Sequence, residues 1–310
     1  MPIAWRNKIL LIKTETVYGT DPVPTGAVNA VLGIDVKVMP MEGDDASREL
    51  DLPYLASIPT IPKELHAKIS FKVEMAPSGA LGVAPAWGPV LRACAVAQTI
   101  SAGVSVTYNP ISVAHESATI YLYIGDTLYK IRGARGTCVM RLDAQGIPYL
   151  EFDLTGLFTT PAEGVRPTPV LTGFQKPLLA TSANTPTFTI NGVAQVMRKF
   201  ALDLGNAVEN RFLVGAEAIL ITDRSEMIET TVEAVPLTTL NPFALAAAQT
   251  TMVVNIAHGT VAGARAAINV PLALMQRPKG VEGQQNIKEW PLSLIPQANL
   301  GNDQWTLVLT

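Results

Sequence analysis

The stretch Lys68-Ile-Ser-Phe-Lys-Val-Glu-Met75 decides the fold class, because apolar and polar residues alternate strictly along it. Successive side chains of an extended strand point to opposite faces, so the four apolar side chains share one face and the four polar ones share the other. The stretch is therefore predicted to be a β-strand with one face on a core and the other in solvent.

The same period of two recurs in four more segments of the first half of the chain. They lie at 34–38, 119–124, 137–142 and 150–154. Repeated short alternating segments, separated by turn-forming residues, predict a mainly β protein.

One segment of the first half, 85–98, follows a helical period instead. It begins with Pro85, and its apolar residues Trp87, Val90, Leu91 and Cys94 recur at helical spacing. Proline at the start and an apolar stripe are typical of a short amphipathic helix. We expect Trp87, Val90 and Leu91 to pack this helix on the sheet.

The second half repeats this order of elements. Its strand-like segments and its single predicted helix, which starts at Asn241-Pro242, lie at 200–204, 228–234, 241–249 (helix), 251–256, 267–275 and 290–294. We expect Phe243 and Leu245 to pack the second helix on its sheet. A repeated order of elements predicts a tandem duplication of one β-rich module with a single flanking helix.

Irregular segments divide the chain into four parts. Proline, threonine and glycine are dense at 159–169, and 182–186 ends in proline; such stretches interrupt a sheet and mark a connector. The prediction is an N-terminal arm at 1–30, a first module at 31–160, a Pro-rich connector at 161–186 and a second module at 187–310. The first module contains a long loop at 41–65, which carries Glu42, Asp44, Asp45, Arg48, Glu49 and Asp51.

The composition limits the classes of function. Of the 310 residues, 48% are apolar and only 16% are charged, against about a quarter charged in a typical soluble domain. No apolar run approaches the roughly 18–20 residues that cross a bilayer, so we expect no membrane insertion. The net charge of −3 argues against binding nucleic acid by neutralising phosphates. The start of the chain lacks a secretory signal, which predicts a cytoplasmic site of synthesis.

The residues that commonly carry catalysis show no recognisable spacing. The three histidines lie far apart in sequence, and a nucleophile elbow, a phosphate-binding loop and a dinucleotide fingerprint are all missing. Cys94 and Cys138 are predicted to be buried free thiols, and the glycines at 133–136 to form a turn or bulge. A hydrolase with a carboxylate pair has no support beyond the presence of acids. We therefore predict no catalytic residue, no metal site and no cofactor.

Short motifs are spread through most of the chain in a consistent order: Lys13-Thr-Glu-Thr-Val-Tyr-Gly-Thr-Asp-Pro-Val-Pro24 with Asn29-Ala-Val31, Pro85-Ala-Trp-Gly-Pro-Val-Leu-Arg-Ala-Cys94, Gly133-Ala-Arg-Gly-Thr137 with Gly146-Ile-Pro-Tyr149, and Leu202-Asp-Leu-Gly-Asn206. Together they resemble the tail tube (major tail) proteins of long-tailed, siphovirus-like bacteriophages. The resemblance implies a structural virion protein rather than an enzyme. It also implies that the two tandem modules are tail-tube-type β-sandwich or barrel-forming units, each with one flanking α-helix.

The resemblance further implies stacked rings around a channel through which the genome passes into the host. Each module would give about four strands to an inner barrel, so two modules per chain predict a homotrimeric ring with pseudo-sixfold symmetry. The loop at 41–65 is either a mobile solvated loop or an inter-ring docking arm, and the resemblance favours the arm.

Partners and location follow from the same resemblance. The expected partners are further copies of the chain, the tape-measure, terminator and distal tail proteins, and double-stranded DNA in non-specific passage. The expected location is the virion tail, after assembly in the bacterial host cytoplasm. Two alternatives stay open: another tail component, such as a terminator or distal tail protein, and a non-enzymatic β-sandwich that binds a receptor or carbohydrate. The second would need an exposed aromatic platform, whereas the four tryptophans are dispersed.

Overall fold

The computed structural model describes residues 3–310, and these residues form a mainly β, antiparallel structure, which confirms the prediction of a mainly β protein. The elements up to residue 163 are β1 (Lys8–Thr14), β2 (Ala30–Val31), β3 (Ile34–Ala46), β4 (Ile61–Glu74), α1 (Gly88–Arg92), β5 (Val96–Ser101), β6 (Ser105–Pro110), β7 (Ala118–Ile124), β8 (Thr127–Asp143), β9 (Tyr149–Leu157) and β10 (Ala162–Glu163). The later elements are β11 (Thr187–Ile190), β12 (Val193–Ala194), β13 (Met197–Asp203), β14 (Asn206–Leu213), β15 (Ala216–Arg224), β16 (Met227–Glu233), α2 (Pro242–Ala248), β17 (Thr251–His258), β18 (Ala266–Met275), β19 (Glu282–Gln284), β20 (Ile287–Pro296) and β21 (Thr306–Leu309).

Besides the β5–β6 hairpin, seven strand pairings organise the part of the chain up to residue 163. β3 pairs with β4, β4 with β9, and β9 with β8. β8 also pairs with β7 and with the short β10, β7 pairs with β1, and β1 with β2. The first strand is therefore held between β7 and β2.

Seven pairings in residues 187–310 follow the same sequence. β13 pairs with β16, β16 with β20, and β20 with β18. β18 also pairs with β17 and with β21, β17 pairs with β11, and β11 with β12. The helix follows the second strand of the hairpin in both parts, since α1 follows β4 and α2 follows β16.

The two parts join edge to edge. β13 pairs with the last five residues of β8, from Asp203 opposite Val139 to Lys199 opposite Asp143. The result is one eight-stranded antiparallel sheet, in the order β3-β4-β9-β8-β13-β16-β20-β18, which we call the central sheet. Its first and last strands do not pair with each other, so the sheet is open.

β8 reaches both neighbours because it changes direction at a bulge. Its register against β9 shifts between Arg132 and Arg135, and Gly133 there adopts a left-handed φ of 59°. Glycine tolerates this backbone conformation without a steric penalty. The first part of β8 can therefore pair with β7 and the last part with β13, which explains Gly133. Gly136 is required for another reason, since a side chain there would meet the carbonyl oxygen of Asp153.

The two faces of the central sheet differ sharply. Alternate residues such as Ile69, Val73, Met140 and Leu202 are 0% exposed and belong to a core cluster that also contains residues of β1, β7 and α1. The intervening residues are mostly polar. We call the second face the polar face.

Two expectations about local structure are corrected. The predicted loop at 41–65 is shorter, because the β3–β4 ladder continues to Ala46 opposite Ile61 and leaves only 47–60 irregular. The acidic residues that suggested a loop are tolerated since this strand lies at a sheet edge. The predicted helix at 85–98 is reduced to α1, because Ala95 adopts a left-handed φ of 56° and the chain extends into β5.

The predicted terminal arm and connector also contain strands. Residues 8–14 of the expected arm form β1, whose Leu11 and Ile12 are each 1% exposed, and the connector contains β10. Residues 1 and 2 of the expected arm lie outside the described residues.

Candidate functional site

Three of the quoted motifs meet at the side chain of Asn206, where the two parts of the chain join. Its amide nitrogen donates to the carbonyl oxygens of Cys94 at 2.8 Å and of Gly136 at 2.9 Å. Its amide oxygen accepts from Arg224 Nε at 3.1 Å. Only a side chain with both a donor and an acceptor can make this set of bonds, so the residue type follows from the geometry.

The N-terminal motif is anchored by a carboxylate that sequence reasoning missed. The oxygens of Glu15 accept from the backbone nitrogens of Gly19 and Gly133 at 2.7 and 2.8 Å, and from the hydroxyls of Ser117 and Thr119 at 2.6 Å each. One side chain thereby ties the N-terminal segment to β7 and to the bulge of β8. The signal for it was its place inside the quoted motif at 13–24.

A second carboxylate of the same motif, Asp21, accepts from the hydroxyl of Tyr121 and from Lys130 Nζ, the latter at 2.7 Å. Burial alone would raise the pKa of the Asp21 carboxyl, but the bonds from Lys130 and Tyr121 lower it below its ordinary value. Between these two acids, the Tyr18 hydroxyl accepts from the backbone nitrogen of Ile219 at 2.6 Å. The motif therefore contacts both parts of the chain.

The polar face is a candidate functional surface because its charges are mixed but predominantly acidic. Strand alternation and pairing place eight acids and five bases on it: Glu74, Asp143, Glu151, Asp153, Asp203, Glu229, Glu233 and the buried Glu289, with Lys37, Lys68, Lys72, Arg141 and Lys199. A surface with this balance repels a polyanion on average.

Two of the five bases on the polar face are already paired with one acid. Glu151 accepts from Lys72 Nζ at 2.8 Å and from Arg141 Nε at 2.6 Å. Burial raises the pKa of the Glu151 carboxyl, and the two hydrogen bonds outweigh it and lower the pKa below the ordinary value. Lys72 and Arg141 are therefore less available to an external anion than free surface bases would be.

The six charged residues of the predicted docking loop fall on two elements. Glu42, Asp44 and Asp45 lie on β3, and Arg48, Glu49 and Asp51 lie in the segment 47–60. The structure brings one of them into an ion pair, Asp44 with Lys63 at 3.8 Å, and both partners are exposed.

The segment 47–60 is also exposed along its whole length and carries an unusual number of exposed apolar side chains. These are Leu50, Leu52, Tyr54, Leu55 and Ile58, which range from 37% to 105% exposed. A cluster of apolar side chains that stays exposed to solvent is typical of a contact surface.

The predicted helix-packing residues are placed differently in the two helices. Trp87, Val90 and Leu91 are at most 1% exposed, and Trp87 Nε1 donates to the carbonyl of Ala76 at 2.9 Å. Leu245 is half-buried against the core cluster. Phe243 is 43% exposed, so its expected packing is wrong: α2 turns Leu245 toward the core and Phe243 toward solvent.

The groups that could carry chemistry are dispersed and engaged within the fold. Each histidine ring has a hydrogen-bonding partner within 3.2 Å, and burial lowers the pKa of His115 and of His258. Burial raises the pKa of the free thiols Cys94 and Cys138. Among residues 3–310, no three His, Cys, Asp or Glu side chains are placed to hold a metal ion, and no helix is long and apolar enough to span a membrane.

Comparison with known proteins gives one match that covers almost the whole chain. A family model described as phage tail tube protein matches residues 5–301. No curated protein matches the chain.

Proposed function

The chain belongs to the phage tail tube protein family, and from this premise we propose that it assembles into stacked rings that form the tail tube, the conduit for the phage genome. It is a structural component of the virion, and its function lies in assembly rather than in catalysis. The observation that carries the proposal is the open central sheet, which has one unpaired edge along β3 and another along β19, beside β20. Such a sheet is completed by further copies of itself.

The chain consists of two tandem modules, one over 31–160 together with β1, and one over 187–310. The support is the sequence of seven strand pairings that occurs once in each part, with a helix after the second hairpin strand both times. Each module contributes four strands to the central sheet. A ring of six modules therefore needs three chains and has pseudo-sixfold symmetry.

The dimensions of such a ring suit a DNA duplex. Three central sheets supply 24 strands, and at a spacing of about 4.8 Å and a tilt near 45° the barrel wall is roughly 50 Å across. Side chains reduce the bore to about 35–40 Å, which leaves room for a duplex of about 20 Å.

The polar face lines the channel. In a closed barrel one face of every strand points inward, and the other face already packs on the core cluster. Acids outnumber bases on this face, and Lys72 and Arg141 are paired with Glu151. The lining therefore binds DNA phosphates weakly. DNA would then slide rather than bind.

The loop at 47–60, with the adjoining end of β3, is the inter-ring docking arm. Its support is the set of exposed apolar side chains and the flanking charges at Glu42, Asp44, Asp45, Arg48, Glu49 and Asp51. These groups give a neighbouring ring both apolar area and charge complementarity.

Replacement of 47–60 by a short Gly-Ser turn tests the arm. We expect a variant with unchanged circular dichroism that forms single rings but no long tubes in negative-stain electron microscopy. Full-length tubes from this variant would remove the arm from the proposal. The matched control replaces the exposed residues 102–104 in the turn between β5 and β6, which should leave tube length unchanged.

The proposed function itself is tested by the same microscopy on the unaltered protein. Purified chain, at high concentration or with the tail initiator complex, should give rings or tubes with threefold symmetry in averaged end views. A chain that stays monomeric under both conditions contradicts the proposal. The remaining proposed partners are the tape-measure, terminator and distal tail proteins of the same virion, met during assembly in the host cytoplasm.

A further inference from the structure

Two backbone edges at the ends of the central sheet have no strand partner within the described residues; the second belongs to β19, which pairs with β20 on the side that β18 also occupies. One is the outer edge of β3, which pairs only with β4. The other runs along residues 280–284, where β19 pairs only with β20 and every residue is exposed. Unpaired edges of this kind are templates for strand addition.

The outer edge of β3 is equivalent to the edge of β13 that pairs with β8. Val38 lies opposite Ile69, as Leu202 lies opposite Ile228. Ile69 lies opposite Leu154 on β9, and Ile228 lies opposite Leu294 on β20. Val38 therefore holds in the first module the place that Leu202 holds in the second.

The edge at 280–284 is equivalent to the last part of β8. Met140 lies opposite Leu150, and the β19–β20 ladder runs from Gln284 opposite Ile287 to Glu282 opposite Glu289. Continued by one residue in the same register, this ladder would place Val281 opposite Trp290. Leu150 and Trp290 are matched because each faces a valine on the neighbouring hairpin strand. Val281 therefore holds the place of Met140.

We propose that the outer edge of β3 in one copy adds to residues 280–284 of the next copy, in the register that β13 and β8 use within the chain. This proposal rests on the proposed function and specifies its ring contact. Within the chain Leu202 pairs with Met140. Between copies Val38 of one chain lies opposite Val281 of the next.

The side chains of the two edges are complementary in this register. Val281, which is 56% exposed in the single chain, is covered by Val38, just as Met140 and Leu202 cover each other. One residue along, Lys37 lies opposite Glu282, and both are exposed and without an ion-pair partner among the described residues. Opposite charges directly across a strand pair stabilise it.

A lysine occupies part of the β3 edge in the single chain. Lys8 Nζ donates to the carbonyl oxygen of Val36 at 2.6 Å, and the adjacent surface is lined by Trp5, Asp35 and Lys37. A charged side chain on an edge discourages unspecific strand pairing. Lys8 therefore has to move aside, or bond a second acceptor, when the next copy adds.

Disulfide trapping tests the register. The variant pair Lys37→Cys with Glu282→Cys, assembled and then oxidised, should give covalent dimers and trimers on a non-reducing gel. The native thiols Cys94 and Cys138 are both 0% exposed and do not compete. The matched control, Lys37→Cys with Gln284→Cys, is displaced by two residues on the same face and should stay monomeric on the gel.

Charge reversal gives an independent test. Lys37→Glu and Glu282→Lys should each raise the concentration needed for ring formation about fivefold, since each puts like charges opposite one another. The double reversal should restore it to within about twofold, because it restores the opposite charges.

The outcomes separate the contact from the function. If rings or tubes form normally but no dimer is trapped, the proposed pairing of β3 with residues 280–284 is wrong. If the control pair is trapped better, the proposed register is wrong. The tube function stands in both cases. Absence of any assembly from the unaltered chain, with or without the initiator, overturns the proposed function and the contact together. Failure of the double reversal to rescue also overturns the pairing of Lys37 with Glu282.

Discussion

Replacement of Asn206 by alanine is expected to loosen the place where the two parts of the chain join. The substitution removes two donated bonds and one accepted bond. It leaves the carbonyls of Cys94 and Gly136 without that donor in a region where Asn206 is only 9% exposed. A hydrogen bond of this kind contributes about 1 kcal/mol on average, so the loss of three bonds amounts to about 3 kcal/mol. The expected loss of unfolding free energy is therefore about 3 kcal/mol.

Equilibrium unfolding in guanidinium chloride, followed by tryptophan fluorescence and by circular dichroism, measures this loss. A destabilisation of about 3 kcal/mol corresponds to a fall in Tm of roughly 5 °C for a chain of 310 residues. Asn206→Asp separates the contributions, since it keeps the acceptor for Arg224 and loses both donated bonds.

The matched control is Asn210→Ala, on the same strand. Asn210 is exposed and makes one side-chain bond, to His66 Nδ1 at 3.2 Å, so its replacement should change stability by less than about 0.5 kcal/mol. An Asn206→Ala variant within 1 kcal/mol of the unaltered protein would refute the reasoning, because the three bonds would then contribute no more than a surface contact.

The remaining predictions concern the core and the carboxylates. Trp87→Ala should cost about 3–5 kcal/mol of unfolding free energy, as large-to-small core changes do, and an unchanged Tm would show that the side chain does not pack as described. Glu15→Ala should make residues 15–20 susceptible to limited proteolysis, since four bonds to that segment and its neighbours are lost; an unchanged cleavage pattern would contradict its anchoring role. The hydrogen bonds from Arg198 lower the pKa of Glu289 below its ordinary value of 4.5, so the pair stabilises the fold above that pH and the contribution is lost as the pH falls through the lowered pKa. Stability measured from pH 6 to pH 3 should therefore fall more steeply in the unaltered protein than in Arg198→Met, and parallel curves would argue against the pair.

Strand positions were predictable from the sequence wherever one face is buried. The alternation at 68–75 marks β4 because its apolar residues all enter the core, and the segments that predicted β9 and β17 behave alike. β7 differs, since it is buried on both faces. The end of β3 was missed, because Asp44 and Asp45 are poor strand formers. Their strand conformation depends on the partner strand, which carries Lys63 opposite Asp44.

The junction between the two parts was not predictable in the same way. The motifs that contain Cys94, Gly136 and Asn206 were each visible, yet they lie up to 112 residues apart along the chain. Only the pairing of β8 with β13 brings them together, and that pairing depends on the bulge in β8 rather than on any local period. Periodicity predicts which face of a strand is buried, but it carries no information on which edge meets which.

The join within the chain also constrains the number of chains in a ring. When the outer edges join as β8 and β13 do, every module is rotated from its neighbour by the same angle, and the barrel closes only if that angle divides a full turn. A rotation of about 60° between the two modules corresponds to six modules and three chains, whereas about 45° would require eight modules and four chains. Averaged end views with fourfold symmetry would therefore contradict the trimer but agree with the proposed edge contact. End views with threefold symmetry but no continuous inner wall would contradict the edge contact itself.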